Sequence, residues 1–412
     1  MHKVLVIGRG GREHALAQKF AQTVKVFVAP GSPGMKDIAT LVPIDENDFS
    51  ALIDFSKAEN IDLVVVGPEV PLVNGIVNRL EEAGINIWGP RANAAIIEGS
   101  KSFAKDLMKK YGIPTASYEV FGDLEAANQY IKNAPLPTVI KMDGLAAGKG
   151  VVIAYTKEQA LEALESMFAE RSDSLIVIEE FLEGEEFSYI AFVAGDRVYP
   201  MALSRDHKRA FDNDMGPNTG GMGAYSPVPQ IDEETALRAL NEILLPTAQA
   251  MVKEKRPFYG FLYGGLIATD QGPKTIEFNA RLGDPEAEVL LPRLENDLFE
   301  VIMKLLKGEH VELKWSESAV VGVVLASKGY PGTYKTGIPV MGLDKLEEDT
   351  MVFHCGTEMS SSNVGQVVTA GGRVLLLARK AKDITSAKEA VYKEIKKIQC
   401  DNLFYRTDIG IL

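Results

Sequence analysis

Four short apolar runs mark the first hundred residues: KVLVIG (3–8), KVFVAP (25–30), DLVVVGPE (62–69) and INIWGP (85–90). None alternates apolar with polar residues, so each reads as a strand buried on both faces, the habit of parallel sheets. Between them GREHALAQKFAQ, FSALIDFSKAENI and LVNGIVNRLEEAG carry helical spacing. Strands that alternate with helices join through right-handed crossovers into an open α/β sheet. The pattern predicts such a domain over residues 1–100.

Beyond it the order changes. SKSFAKDLMKKYGI predicts a helix, PTVIKMDGLAAGKGVVIAYT (137–156) a strand, a glycine-rich turn and a second strand, and EQALEALESMFAE another helix. LIVIEEFLEGEEFSYIAFVAGDRVYPMALS predicts three strands, and ETALRALNEILLPTAQAMVKE one long amphipathic helix. FYGFLYGGLIATDQGPKTIEFNARLG reads as a strand pair turning at 270–273. After the helix DLFEVIMKLLKGE, HVELKWSES predicts a boundary, and residues 318–412 read as a strand-rich α+β domain.

Composition removes several function classes. A net charge of -13 argues against a general nucleic-acid binder, whose affinity needs a basic surface. No apolar run approaches the ~20 residues of a membrane span, and no basic segment followed by a long apolar one suggests a leader. Cys355 and Cys400 are the only cysteines, without metal-type spacing, so a disulfide scaffold and a zinc site are both disfavoured and the cytoplasm is expected.

Chemistry-bearing residues cluster in five places. GRGGREHA (8–15) follows the first strand and opens a helix, where Gly10, Gly11 and Arg12 suit a phosphate. A dinucleotide fingerprint would need glycine at Glu13 and an acid ending the second strand; both are missing. Glu69 stands just past the third strand, where a carboxylate can accept from ribose hydroxyls. KMDGLAAGKGVV (141–152) lacks the Walker pattern but offers Gly148, Lys149 and Gly150 to cover phosphates, with Lys141 and Lys101 as point charges. VIEEFLEGEEFS (177–188) offers linker backbone for an adenine, Glu179 and Glu180 beside it and Glu186 for the ribose; an acidic surface turn is the plain alternative. In TIEFNARLGDPE (275–286), Glu277 and Asn279 are two apart on a strand and so share a face. Their hard oxygens suit Mg²⁺ or Mn²⁺ beside phosphates. Arg281 follows on that face, where it can stabilise a transferring phosphoryl group, and Asp284 lies in the turn beyond. The segment DHKRAFDNDMGPNTGGMGAYSP (206–227) offers Asp212 or Asp214 to an ammonium, with Asn218, Gly220 and Gly221 wrapping a small ligand. His207 and Lys208 read as solvated. His14, His310 and His354 are too scattered to suggest a metal cluster.

In their order, KMDGLAAGKG, IEEFLEGEEFS and IEFNARLGDPE resemble the ATP-grasp ligases. GRGGREHA, GPEVPL, EGSKSFAK, GPNTGGMGAYSP, ARLGDPEAEVLLPRL and ASKGYPG are similar, end to end, to the phosphoribosylamine–glycine ligase family, with Leu282 where a phenylalanine is usual. That resemblance implies a two-lobed nucleotide domain over 101–312, with a small lobe at about 115–188 and a larger one over 189–312. It implies ATP and a divalent metal as cofactors, and glycine and 5-phosphoribosylamine as substrates. Lys101 and Lys141 would hold phosphates, Glu179, Leu182 and Glu186 the nucleoside, Glu277 and Asn279 the metal, and Glu69 with Gly10–Arg12 the ribose phosphate. Transient contact with neighbouring purine-pathway enzymes is a further expectation. Two rivals stay open: another ribonucleotide-using enzyme of the superfamily (a formate-dependent transformylase or carboxyaminoimidazole ribonucleotide synthetase), and a non-catalytic ATP-binding regulator.

Overall fold

The computed structural model describes residues 1–145, 150–171, 173–363 and 365–412. Its N-terminal part is an all-parallel five-stranded sheet. Lys3–Gly8 lies at its centre, flanked by Lys25–Pro30 and Leu63–Val66. Ile87–Trp88 closes one edge, and Thr40–Leu41, two residues too short for a sequence signal, closes the other. Val4, Leu5, Val6 and Ile7 are all fully buried, as an uninterrupted apolar run requires. The expected helix over LVNGIVNRLEEAG is split into Glu69–Val73 and Ile76–Glu82. Gly75 interrupts it with φ +88°, a left-handed conformation that cannot continue a right-handed helix.

The middle of the chain holds two antiparallel four-stranded sheets. One runs Tyr118–Phe121, Ile176–Glu180, Thr138–Met142, Val151–Ala154 and carries the helices Leu124–Ile131 and Lys157–Glu170. Ile131, Ile140, Leu164, Ile176 and Ile178 form a core of its own, separate from the rest of the molecule. The other sheet runs Arg197–Pro200, Glu185–Ala194, Tyr259–Thr269, Gly272–Asn279. The segment 181–184 passes from one sheet to the other. The long helix expected after residue 232 is continuous but carries a π-turn at Leu240–Leu244 between Glu233–Ala239 and Leu245–Lys253. Pro246 lies just beyond it and has no N–H to keep the regular ladder.

The C-terminal sheet is not built from C-terminal residues alone. Ala319–Ser327 pairs with Arg373–Ala381 and Leu403–Phe404, but also with Gly223–Ser226, which in turn pairs with Arg205–Asp206. Gly223 permits the junction, because a Cβ there would lie 2.6 Å from the Gly322 carbonyl oxygen. The glycine-rich segment is thereby stitched to the last domain.

Candidate active site

The strand Gly272–Asn279 pairs with Tyr259–Thr269, setting Glu277 opposite Gly265 and Asn279 opposite Tyr263. A Cβ on Gly265 would come within 3.2 Å of Glu277 Cγ, so the glycine makes room for the carboxylate. Burial pushes the Glu277 pKa up, but Lys208, Lys141, Lys101 and Arg281 together outweigh burial and hold it below the usual carboxylate range. The Asn279 amide makes no hydrogen bond among the described residues. An ionised carboxylate beside an uncommitted amide oxygen is a donor set that fits a hard divalent cation. Among the described residues no three His, Cys, Asp or Glu side chains gather around a common point, so the protein would supply only part of the coordination shell.

Two lysines approach from the small sheet and the helix beside it. Lys141 Nζ donates to Glu179 and to the Ile276 carbonyl at 3.0 Å, next to Glu277 in the chain. Lys101 Nζ donates to the Gly144 carbonyl at 2.8 Å, and burial lowers its pKa. Asp143 accepts from Ser100, Lys101 and Ser102, fastening the start of the helix Lys101–Tyr111 to the glycine turn. Gly150 is buried and its carbonyl accepts from Met142 N, whereas Gly148 and Lys149, expected over the phosphates, lie outside the described residues.

Lys105 escaped sequence reading. It is 2% exposed, and its Nζ lies 2.8 Å from Glu179 Oε2 and donates to Thr115 Oγ1 at 2.8 Å. Glu179 therefore sits between Lys105 and Lys141. Burial pulls the Lys105 pKa down to about 8, against the pull of Glu179 upward. From about pH 8 to 10.5 the folded chain holds less of this proton than the unfolded chain, so this group makes stability rise with pH in that window. Lys105→Met is expected to remove that contribution, at most about 1.4 kcal/mol per pH unit. Urea melts of both proteins at pH 7.5 and 9.5 check it.

Glu180 is held away from Lys105 and Lys141, accepting from Ser117 at 2.8 Å and facing Lys274 at 3.5 Å. Leu182 is half-buried in the linker and Glu186 is exposed.

On the N-terminal side, Gly10, Gly11 and Arg12 open the helix Gly11–Phe20. Gly10 N donates to Glu13 Oε2 at 2.6 Å. Arg12 turns inward rather than toward a ligand: it is buried, paired with Glu13 at 2.6 Å and donating to the Leu282 carbonyl at 3.2 Å. Its backbone N–H points at Asp284, which also pairs with Arg373 at 3.0 Å. Arg281, two residues past Asn279, reaches back to this N-terminal side. Its Nη2 lies 3.0 Å from Glu98 Oε1 and its Nε 3.4 Å from Glu69 Oε2. Burial raises the Glu69 pKa, but Arg281 and Arg12 outweigh it and keep the group ionised. Glu98, unforeseen in the sequence, is fixed by a 2.7 Å hydrogen bond from Ala280 N.

The glycine-rich segment packs against the same place. Gly221 has φ +112°, and a Cβ there would meet Pro285 at 2.5 Å. Gly220 N donates to the Tyr330 hydroxyl at 2.9 Å, and the Gly220 carbonyl accepts from Arg373 at 2.7 Å. Asn218 lies opposite Arg209 in a hairpin whose far end carries Asp212 and Asp214. Both aspartates are engaged elsewhere: Asp212 accepts from Thr407 N at 2.7 Å, and Asp214 pairs with the buried Arg406 at 2.8 Å. Lys208, read as solvated, faces Glu277 at 3.9 Å and Glu186 at 3.8 Å. His14 and His354 also come together, His354 N donating to His14 Nδ1 at 3.0 Å. Burial lowers both pKa values, to about 3 and about 4, so the pair is neutral packing.

The arrangement gathers Lys101, Lys141, Lys208 and Arg281 around one acid–amide pair, with Arg281 reaching Glu69 and Glu98 on the side of the glycine loop. It suits the movement of a phosphoryl group between a nucleotide and a second anionic substrate. Comparison with known proteins agrees. Three family descriptions match consecutive stretches: "Phosphoribosylglycinamide synthetase, N domain" over residues 2–98, its ATP-grasp (A) domain over 99–287 and its C domain over 320–411. A phosphoribosylamine–glycine ligase of Halalkalibacterium halodurans is 56% identical, covering 99% of this chain and 96% of that one. The crystal structure of the phosphoribosylamine–glycine ligase of Thermotoga maritima superimposes with a TM-score of 0.85 at 34% identity, covering 99% of this chain and all of that one. The biotin carboxylase domain of Hydrogenobacter thermophilus 2-oxoglutarate carboxylase shares the fold alone, with a TM-score of 0.73 at 16% identity. With three family models matching most of its length and a relative 56% identical over 99% of it, the chain belongs to the phosphoribosylglycinamide synthetase family.

Proposed function

We propose that this protein ligates glycine to 5-phosphoribosylamine with ATP, giving glycinamide ribonucleotide, ADP and phosphate, an early step of purine biosynthesis. The rival readings, another ribonucleotide-using enzyme or a silent ATP sensor, are not favoured, because relatives matched over 96% and 99% of their length are named as this ligase. The observation that carries the mechanism is Arg281. Ion-paired to Glu69 and Glu98 and two residues past Asn279, it supports a reading in which ribosyl phosphate and nucleotide approach each other beside it.

Lys101 and Lys141 orient the polyphosphate. The backbone of residues 181–183 makes no hydrogen bond to other backbone among the described residues, which leaves it open to an adenine edge, with Leu182 against the ring and Glu186 near the ribose. Glu277 and Asn279 would hold the divalent cation, Mg²⁺ or Mn²⁺; when bound, it neutralises charge on the phosphate oxygens. A carboxylate oxygen is a poor leaving group, and phosphorylating glycine converts it into a good one. Arg281 faces the charge that develops as the phosphoryl group moves. The neutral amine of the ribosyl substrate, which we seat beside the Gly11 amide and Glu69, then attacks the acyl carbon and displaces phosphate, which carries off the amine proton; the amides of Gly10 and Arg12 are already given to Glu13 and Asp284. Asp284 fixes the loop by accepting from Arg12 N. Asp212 and Asp214 serve the glycine-rich hairpin through Thr407 and Arg406, and we assign neither to the glycine ammonium. We read the chain as three working parts, 1–100, 101–312 and 318–412, acting in the cytoplasm. No helix among the described residues is long and apolar enough to cross a membrane.

The test is ADP release with glycine and freshly made phosphoribosylamine, each omitted in turn. Release is expected only with both, and not when formate or bicarbonate replaces glycine. Release with formate instead would overturn the assignment.

A further inference from the structure

The Lys208 ammonium holds an unusual position among the lysines near Glu277. Lys141 and Lys101 each donate hydrogen bonds to a carbonyl. Lys208 Nζ approaches Glu277 Oε1 at 3.9 Å and Glu186 Oε2 at 3.8 Å, within ion-pair range but beyond hydrogen-bond range of either. It is placed by charge, not by a directed bond. Its backbone is fixed, since the Lys208 carbonyl accepts from Thr219 N at 2.7 Å and Thr219 Oγ1 at 2.8 Å, and Met222 N donates to the His207 carbonyl at 2.8 Å. Only the four-carbon side chain is left to move.

Lys208 Nζ stands off from both Glu277 and Glu186, and the Asn279 amide is uncommitted alongside, so a small cation could enter between lysine and carboxylate without breaking a hydrogen bond. We propose that Lys208 is the resident counter-ion of Glu277 and that a divalent cation takes its place, so that lysine and metal alternate against the same carboxylate. Lys208 is then a positioning residue: it holds the Glu277 carboxylate in place until the metal arrives with nucleotide. The proposal rests on Glu277 being a metal ligand.

The sign of one measurement separates this from a structural role. Removing a positive charge beside a metal ligand strengthens cation binding, whereas loosening the site weakens it. Mn²⁺ titrations of the full chain, followed by the electron paramagnetic resonance of free Mn²⁺ with and without ADP, read it directly. Lys208→Gln is expected to tighten Mn²⁺ by about fivefold, the scale of one partly exposed ion pair. Lys208→Arg is expected to stay near wild type, and Glu277→Gln to weaken binding at least about tenfold. Unchanged or weaker Mn²⁺ binding in Lys208→Gln, with Glu277→Gln still weakened, would overturn the counter-ion proposal and leave the metal site standing. Wild-type Mn²⁺ affinity in Glu277→Gln would remove the metal site and this proposal together.

Discussion

Replacing Arg281 with methionine is expected to lower kcat for ligation by roughly 10²–10³-fold, the scale of losing one preorganised charge at a transferring group. The side chain is 18% exposed, and its guanidinium spans Glu98 at 3.0 Å and Glu69 at 3.4 Å. Burial already pushes the Glu98 carboxyl upward against the pull of Arg281, so without the arginine it takes up a proton and the Ala280–Glu98 contact weakens. Breaking a buried pair from one side costs about 3–5 kcal/mol, so a lower urea midpoint is expected as well. Arg281→Lys keeps the charge but not the two-pronged reach, and is expected to fall between. ADP-release kinetics and equilibrium unfolding of both variants check this. A methionine variant with wild-type kcat would show that Arg281 only braces the junction.

Glu277→Ala is expected to abolish ligation, by more than about 10³-fold, because the proposed metal would lose its carboxylate ligand and the phosphoryl group its neutralising charge. The fold is expected to survive. Gly265, Phe278 and the paired strand Tyr259–Thr269 stay in place, and the lost carboxylate makes no hydrogen bond among the described residues. Thermal melting within a few degrees of wild type, with nucleotide binding retained in the absence of metal, is the expected companion result. Wild-type turnover would remove the metal assignment.

Both residues were legible because their information is local. Glu277 and Asn279 follow a two-residue spacing on one strand, Arg281 lies two residues past its end, and four buried runs announce the N-terminal sheet without any distant partner. What stayed hidden depends on contacts far along the chain. Lys105 looks like any charge on a helix until Glu179 and Thr115 close over it. Glu98 ends an ordinary apolar run and acquires meaning only from Ala280 and Arg281. Asp212 and Asp214 carry the right chemistry for an ammonium, yet Arg406 and Thr407, almost two hundred residues further on, reach them first. Lys208 sits in a charged segment that reads as surface, and its direction is set by a glycine loop clamping its backbone. Arg373 and Tyr330, which hold Gly220, lie more than a hundred residues away from it.

The strand Gly223–Ser226 lies edge to edge with Ala319–Ser327, so one continuous sheet spans the boundary that the sequence suggests near residue 312. Severing the gene there would not yield an autonomous catalytic fragment and a dispensable tail. Each piece would carry a raw β edge, and recombination between relatives at that point would have to exchange both edges at once.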